Sequence, residues 1–413
     1  MRVAFYGNVC NVFYQIAKAL RAGSDIDAHL FVNANDHMQW LPESDDPEVL
    51  ADPPAWIHRG HYRHRGWYAT PWASSLVAQL REFDLIVVGG EGPIIAQFAG
   101  KPMVFWASGS DLTASPFPLR FLYLYPSWID RLGLLLKGYW QRRALHRMRE
   151  IWAQPLDINV HAIRDLRIGP DRVSKLYFPV VIDTRKMALR TPPRSIPPEL
   201  RFPPNAPKPF LVFHPTRIRI DDHSRKGAEG QSKGNLVLLE GFARFARNPA
   251  VQNAYLVLVD RDVFGDNPKA KRWIAQAGIE DRVIWLKPPQ PAGYPRNTMV
   301  DLYSLCDVVA DQFGNMGGGF GCIGLEACAC SRPVLIRTDE TLLSRLYPWH
   351  PLLGASTPDD IAARLADLYA NPALREEAGS KGRRWIEQFH SPEKAGPAYA
   401  ARLRDLCRDA SAT

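Results

Sequence analysis

Residues 311–334 hold the densest chemistry of this sequence: Asp311-Gln-Phe-Gly-Asn-Met-Gly317-Gly318-Gly319-Phe320-Gly321-Cys322-Ile-Gly-Leu-Glu326-Ala-Cys-Ala-Cys-Ser-Arg-Pro-Val334. An apolar run ending at Ala310 precedes it, and the pattern predicts a helix from near Cys322. Glycines at 317, 318, 319 and 321 let backbone N–H groups come close to an anion, and a helix N-terminus adds a dipole that favours phosphate. Glu326 falls one turn inside that helix, set back from the anion, where a carboxylate can accept hydrogen bonds from sugar or ribose hydroxyls. The same residues would also make an ordinary strand-to-helix turn with a solvated glutamate.

Smaller candidates lie elsewhere. Gly7-Asn8-Val9-Cys10-Asn11 follows the first apolar run but is not G-x-G-x-x-G, which argues against a nicotinamide dinucleotide. Asp111, in Ser108-Gly-Ser-Asp-Leu112 after Met103–Trp106, is either a site carboxylate or the cap of the next helix. Asp260-Arg-Asp262 has the spacing of a divalent-ion pair, yet it follows an internal strand and reads as a turn. His58, His61 and His64 sit in an Arg-rich run without a carboxylate, so a polar, partly exposed loop is expected rather than a metal site. That loop, Ile57–Trp72, mixes His and Arg with Tyr62, Trp67, Tyr68 and Trp72, which suits sugar faces or an anionic acceptor. No RNA-binding motif accompanies it, and nucleic acid is not an expected partner. Phe117–Arg149 interleaves aromatics with Arg and Lys, as an interfacial helix would, or as an amphipathic helix packed on a sheet with a solvated basic side.

Short apolar runs must position these residues. Arg2–Tyr6, His29–Asn33, Leu85–Val88, Met103–Trp106 and Glu150–Ala153 read as strands, with helices at Asn11–Ala22, Ala73–Phe83 and Ile94–Ala99. Residues 191–210 carry eight prolines in twenty positions, which excludes a helix or sheet interior and predicts a semi-rigid linker. The alternation restarts at Pro209–His214 and runs on through strands at Ala254–Val259, Val283–Leu286, Val308–Ala310 and Pro333–Ile336. Strand–helix alternation implies right-handed parallel βαβ units. The expected fold class is α/β, with two Rossmann-like, doubly wound parallel-sheet domains facing across a cleft. The expected division is a first domain at 1–190, the linker at 191–209, a second domain at 210–388, and a C-terminal helix at 389–413 returning to the first domain.

Bulk properties narrow the class. At 413 residues, two domains are the natural expectation. The formal charge of +8 favours an acidic partner without choosing among nucleic acid, anionic lipid and phosphorylated small molecules. The opening residues enter a strand at once, so no signal peptide is expected. No apolar run reaches about 18 residues, so no transmembrane span is expected. Six sparse cysteines fit buried side chains in a reducing cytoplasm, and the 117–149 segment adds peripheral contact with the inner membrane face.

The Gly319-Phe320-Gly321 to Val334 stretch resembles the signature of retaining glycosyltransferases of family 4: Glu-Gly-Phe-Gly, three or four apolar residues, then Glu-Ala-Met-Ala-x-Gly-x-Pro-Val. Glu326 matches the second acid, for which the resemblance implies ribose binding. Gly318 stands where the first acid would contact the donor sugar, leaving Asp311 or a backbone amide to substitute. Phe213-His-Pro-Thr-Arg217, Ser232-Lys233-Gly234 and Leu238-Leu-Glu240-Gly-Phe242 resemble the family's Gly-Arg-Leu, Lys-Gly and Leu-Leu-Glu-Ala-Phe. By that resemblance Arg217 and Lys233 neutralise the donor diphosphate, with Lys233 preferred over Lys226 for its spacing. Gly7, Asn8 and Asn11 then open the acceptor side, and Asp111 joins Arg217 and Lys233 as a catalytic candidate. The resemblance implies a GT-B enzyme with a nucleoside diphosphate sugar donor, a glycan, lipid-linked or small-molecule acceptor, retention at the anomeric carbon, and no cofactor or metal. A nucleotide-sugar epimerase of the same architecture and a non-catalytic sugar-nucleotide-binding subunit remain alternatives.

Overall fold

The computed structural model describes residues 1–64, 66–220, 233–262, 265–291, 293–314 and 321–411. In the first half, β1 (Arg2–Tyr6), β2 (Asp27–Asn33), β3 (Ile57–Gly60), β4 (Leu85–Val88), β5 (Met103–Trp106) and β6 (Glu150–Trp152) form one parallel sheet in the order β3-β2-β1-β4-β5-β6. In the second, β7 (Phe210–His214), β8 (Ala254–Val259), β9 (Val283–Leu286), β10 (Val308–Ala310), β11 (Val334–Ile336) and β12 (Leu353–Gly354) form another in the order β12-β11-β10-β7-β8-β9. Counted from its own first strand, each sheet has the doubly wound order 3-2-1-4-5-6. The strand order therefore reverses between β1 and β4 in one sheet, and between β7 and β10 in the other.

Sequence explains the strands directly. A parallel strand is covered by helices on both faces, so it reads as an unbroken apolar run. Leu85–Val88 and Phe210–His214 are buried at every position. β3 departs from this pattern: Ile57-His-Arg-Gly60 pairs only with Leu30–Asn33 and is half-buried after Ile57. The residues expected to begin a loop at Ile57 are thus an edge strand, where one missing neighbour relaxes the demand for apolar side chains.

The chain divides into two compact units, Met1–Val181 with His390–Thr413, and Ile182–Phe389. The boundary falls before the proline-rich segment, not within it, because that segment is docked on the second unit. The Arg190 and Arg194 peptide N–H groups donate to Ser304 Oγ (3.0 Å) and Asp301 Oδ1 (2.9 Å), Leu200 is buried, and Phe202 packs on Tyr255. No helix among the described residues is long and apolar enough to cross a membrane.

Candidate functional site

In a doubly wound sheet, ligands collect outside the carboxyl ends of the strands where the order reverses. In the second unit that point is the pair β7 and β10, which are hydrogen-bonded neighbours. His214 ends β7 and is fully buried. Its Nδ1 lies 2.8 Å from the Ala310 carbonyl, and its Nε2 lies 2.8 Å from Asn235 Nδ2. A carbonyl only accepts and an amide nitrogen only donates, so the imidazole is neutral with its proton on Nδ1. Burial pushes it down to about 4, which keeps it so at neutral pH. Asn235 opens the helix Asn235–Ala246; its Oδ1 accepts from the Arg219 N–H at 2.8 Å, and its Nδ2 reaches the Arg217 carbonyl at 3.3 Å. Thr216 Oγ1 donates to the Asp311 carbonyl at 3.2 Å. The loop carrying Arg217 is therefore held to β10 on one side and to a helix start on the other.

Lys233 and Gly234 approach the same place from that helix. Lys233 Nζ donates to Gln312 Oε1 at 2.6 Å, and the Phe313 N–H donates to the Lys233 carbonyl at 2.8 Å. Gly234 has φ +64°, and a Cβ there would stand 2.4 Å from the Phe313 carbonyl carbon. Only glycine allows that approach, and it delivers the lysine to the end of β10. Lys226 and the glycine-loop residues Gly317, Gly318, Gly319 and Phe320 lie outside the described residues.

Asp311 is buried, with the Gly321 and Gly324 N–H groups against its carboxyl group. Burial pushes it up to about 6, opposed by Lys233 and by those N–H groups. It braces the start of the helix Cys322–Ala329. Glu326 is buried in the same helix. Arg296 Nε donates to Oε1 at 2.7 Å, and the Tyr303 hydroxyl donates to Oε2 at 2.9 Å. Burial first, then the Glu326 charge, holds the Tyr303 phenol well above its ordinary value.

At the corresponding reversal in the first unit, the loops after β1 and β4 interlock. Gly7 has φ +89°, and a Cβ on it would lie 2.1 Å from the Gly89 carbonyl oxygen. Asn8 and Asn11, expected on the acceptor side, are both buried. Asn8 Nδ2 donates to Asn11 Oδ1 and to the Trp40 carbonyl, each at 2.7 Å, and Asn8 Oδ1 accepts from the Tyr14 N–H at 3.0 Å. These bonds shape the loop that follows β1. Asp111 is likewise inward. Its carboxylate accepts from the N–H groups of Gly90 (3.0 Å), Gly109 (2.8 Å) and Leu112 (3.0 Å), and from Ser108 Oγ (2.9 Å). Burial raises its pKa, and these donors oppose that rise. Asp111 ties the β4 and β5 loops together.

The histidines, the aromatic residues of 57–72 and the Asp260/Asp262 pair have structural uses. His58 pairs with His29 across β3 and β2 (2.8 Å between ring nitrogens), and Tyr62 and Trp67 belong to the first unit's core and not to a sugar platform. Asp260 accepts from Asn267 Nδ2 (2.7 Å) and Lys271 Nζ (3.0 Å), and Asp262 accepts from the Asn267 N–H (3.3 Å). Among the described residues, no group of three His, Cys, Asp or Glu side chains is placed to hold a metal.

Residues 227–385 match the family of glycosyl transferases group 1. No curated protein sequence matches the chain. Among solved structures, sucrose-phosphate synthase from Thermosynechococcus elongatus superposes with a TM-score of 0.63 at 14% identity, covering 98% of this chain and 99% of that one. HepE from Anabaena, solved in complex with UDP and glucose, gives 0.61 at 16% identity, covering 98% and 100%. A candidate UDP-N-acetylglucosamine 2-epimerase from Listeria monocytogenes gives 0.52 at 11% identity, covering 98% and 96%. These likenesses establish the GT-B fold: two Rossmann-like domains, each built on a six-stranded parallel sheet.

The group 1 match takes in Lys233, Asp311, the glycine loop and Glu326; Arg217 lies ahead of it. Sequence reasoning missed His214, Asn235, Arg296, Tyr303 and Gln312. One signal for Arg296 was available. A cation at the first position of a helix opposes the helix dipole, so it calls for a nearby acid.

Proposed function

We propose that the protein is a glycosyltransferase that moves a sugar from a nucleoside diphosphate donor to an acceptor hydroxyl, with retention at the anomeric carbon. The observation that carries this reading is the junction at β7 and β10, where the Arg217 loop, Lys233 and the start of the 322–329 helix meet. Arg217 and Lys233, with the N–H groups of the Gly317–Gly321 loop, neutralise charge growing on the departing diphosphate. Glu326, fixed by Arg296 and Tyr303, receives the ribose hydroxyls. The bond from the anomeric carbon to the phosphate oxygen breaks as the bond to the acceptor oxygen forms. The acceptor proton passes to the leaving phosphate, so no separate carboxylate base is needed. A divalent ion has no part in this scheme, and turnover should persist in EDTA.

The test is a calorimetric screen of UDP-, GDP- and ADP-sugars, followed by an assay of acceptor-dependent nucleoside diphosphate release. Lys233→Ala and Arg217→Ala should each lower kcat/KM about a hundredfold, the loss of roughly 3 kcal/mol of transition-state stabilisation. Lys226→Ala should cost far less. Sugar isomerisation without an acceptor would instead identify an epimerase. Nucleotide-sugar binding without turnover on any acceptor would identify a binding subunit.

A further inference from the structure

The helix Trp128–Leu145 turns small residues inward and large apolar ones outward. Gly133 lies against the Tyr68 ring and Gly138 against Pro118, while Gln141, Ala144 and Leu145 complete the buried side. On the other side Trp128, Leu132, Leu135 and Tyr139 follow at steps of four, three and four residues, which is one helical stripe. Trp128 is 72% exposed, Leu132 48% and Tyr139 58%. The lead-in turn adds Leu119 at 73%, and the first helical turn adds Ile129 at 57%. A row of apolar side chains on one open face, rimmed by polar ones, marks an interaction surface.

The charge around the stripe selects the partner. Residues 117–149 hold seven Lys and Arg against a single acid, Asp130. Arg120 and Lys137 are neutralised by Asp165 and Glu91. Arg131, Arg142 and Arg147 are exposed and form no ion pair among the described residues. A second copy of this chain is a poor fit, because a two-fold axis would set the basic rim against itself. Apolar side chains ringed by Trp, Tyr and Arg match the boundary of an anionic bilayer, where aromatic rings enter the headgroup layer and arginines meet lipid phosphates.

We propose that this face docks the protein reversibly on an anionic lipid surface. The inference is independent of the transfer reaction, and its test reads binding, not turnover. The whole protein is sedimented with vesicles of phosphatidylcholine alone, and with vesicles of phosphatidylcholine mixed equally with phosphatidylglycerol, at low and high salt. It should pellet with the anionic vesicles at low salt and be released at high salt. The triple variant Trp128→Ser, Leu132→Ser, Tyr139→Ser should bind at least about tenfold more weakly, since the apolar contact is gone. Its melting temperature should match the wild type, because the altered side chains are on the surface. The double variant Arg131→Ala, Arg147→Ala should lose the salt-dependent part of binding. Failure of the wild type to bind anionic vesicles at low salt, or undiminished binding by both variants, would overturn the proposal. So would a wild-type dimer that the triple variant dissolves.

Discussion

Arg296 and Glu326 are each buried, and neither charge could stay there alone. Their pairing is worth little in net stability, but breaking it from one side strands a buried charge. Arg296→Ala should therefore destabilise the second unit by about 3 kcal/mol, read by denaturant unfolding. Adding Glu326→Gln should restore part of that loss, because the remaining group is then neutral. Asp311 makes a second test through pH. Its carboxyl is pushed up to about 6 in the fold, while the unfolded chain titrates near 3.8. Between those values the folded state holds a proton that the unfolded chain has released. Stability from this group is thus fullest below about pH 4 and falls as pH rises to 6. Asp311→Asn should gain on the wild type across that window, by an amount of order 3 kcal/mol at pH 7. A stability difference that is flat from pH 4 to 7 would refute the burial argument. Lys233, Asp311 and Glu326 were readable in the sequence as candidates because their motifs are contiguous. Arg296 and His214 were not, since their partners come from other elements: Glu326 is thirty residues from Arg296, and Ala310 is ninety-six from His214.

At the scale of elements, the 322–329 helix shows how local rules and packing divide the work. It ends in a Schellman motif: the Ser331 N–H donates to the Cys328 carbonyl (3.0 Å) and the Arg332 N–H to the Ala327 carbonyl (2.9 Å). The motif puts Ser331 at φ +54°, a conformation that glycine adopts without strain. The resembled family pattern has glycine at this position. Ser331→Gly should relieve about 1 kcal/mol of left-handed strain, less the extra chain entropy of glycine. The net effect should be a rise in melting temperature of about 2 °C. An unchanged or lower value would mean that the serine side chain compensates. The central strands were readable as apolar runs because both faces are covered. β3 and β12 were not, because β3 carries His58 and Arg59 in place of an apolar run and β12 is only two residues long. The 57–72 aromatics show the reverse failure: Tyr62 and Trp67 look like a binding surface in sequence but fill the core. Residue type alone does not say which way a ring points.

For the whole molecule, the chain leaves the first unit at Val181 and re-enters it at His390. The amphipathic pattern of Pro392–Ser411 does not record which sheet it covers; its contacts do. Tyr399 and Leu403 are fully buried, and Tyr399 packs on Trp152 and Phe178 and donates to the Pro179 carbonyl at 2.9 Å. Arg402 grips the buried Glu150 with two bonds, 2.9 and 2.7 Å. His390 Nδ1 donates to the Val180 carbonyl at 2.8 Å, and burial pushes the imidazole down to about 4. Removing residues 390–413 would take away the buried Tyr399, Leu403 and Leu406, whose burial contributes about 2 kcal/mol each. It would also leave Glu150 buried without its counter-ion, at about 3 kcal/mol more. The sum, about 9 kcal/mol, matches the whole stability of a typical domain, about 5–15 kcal/mol. A chain ending at Phe389 should therefore lose the native first unit, while the second, with its own core, keeps its cooperative transition. Scanning calorimetry should show one transition missing and one retained. Arg402→Ala should lower the same first-unit transition without abolishing it. If the truncated chain keeps both transitions, the C-terminal helix is an ornament on a self-sufficient domain. If it loses both, the two units fold as one.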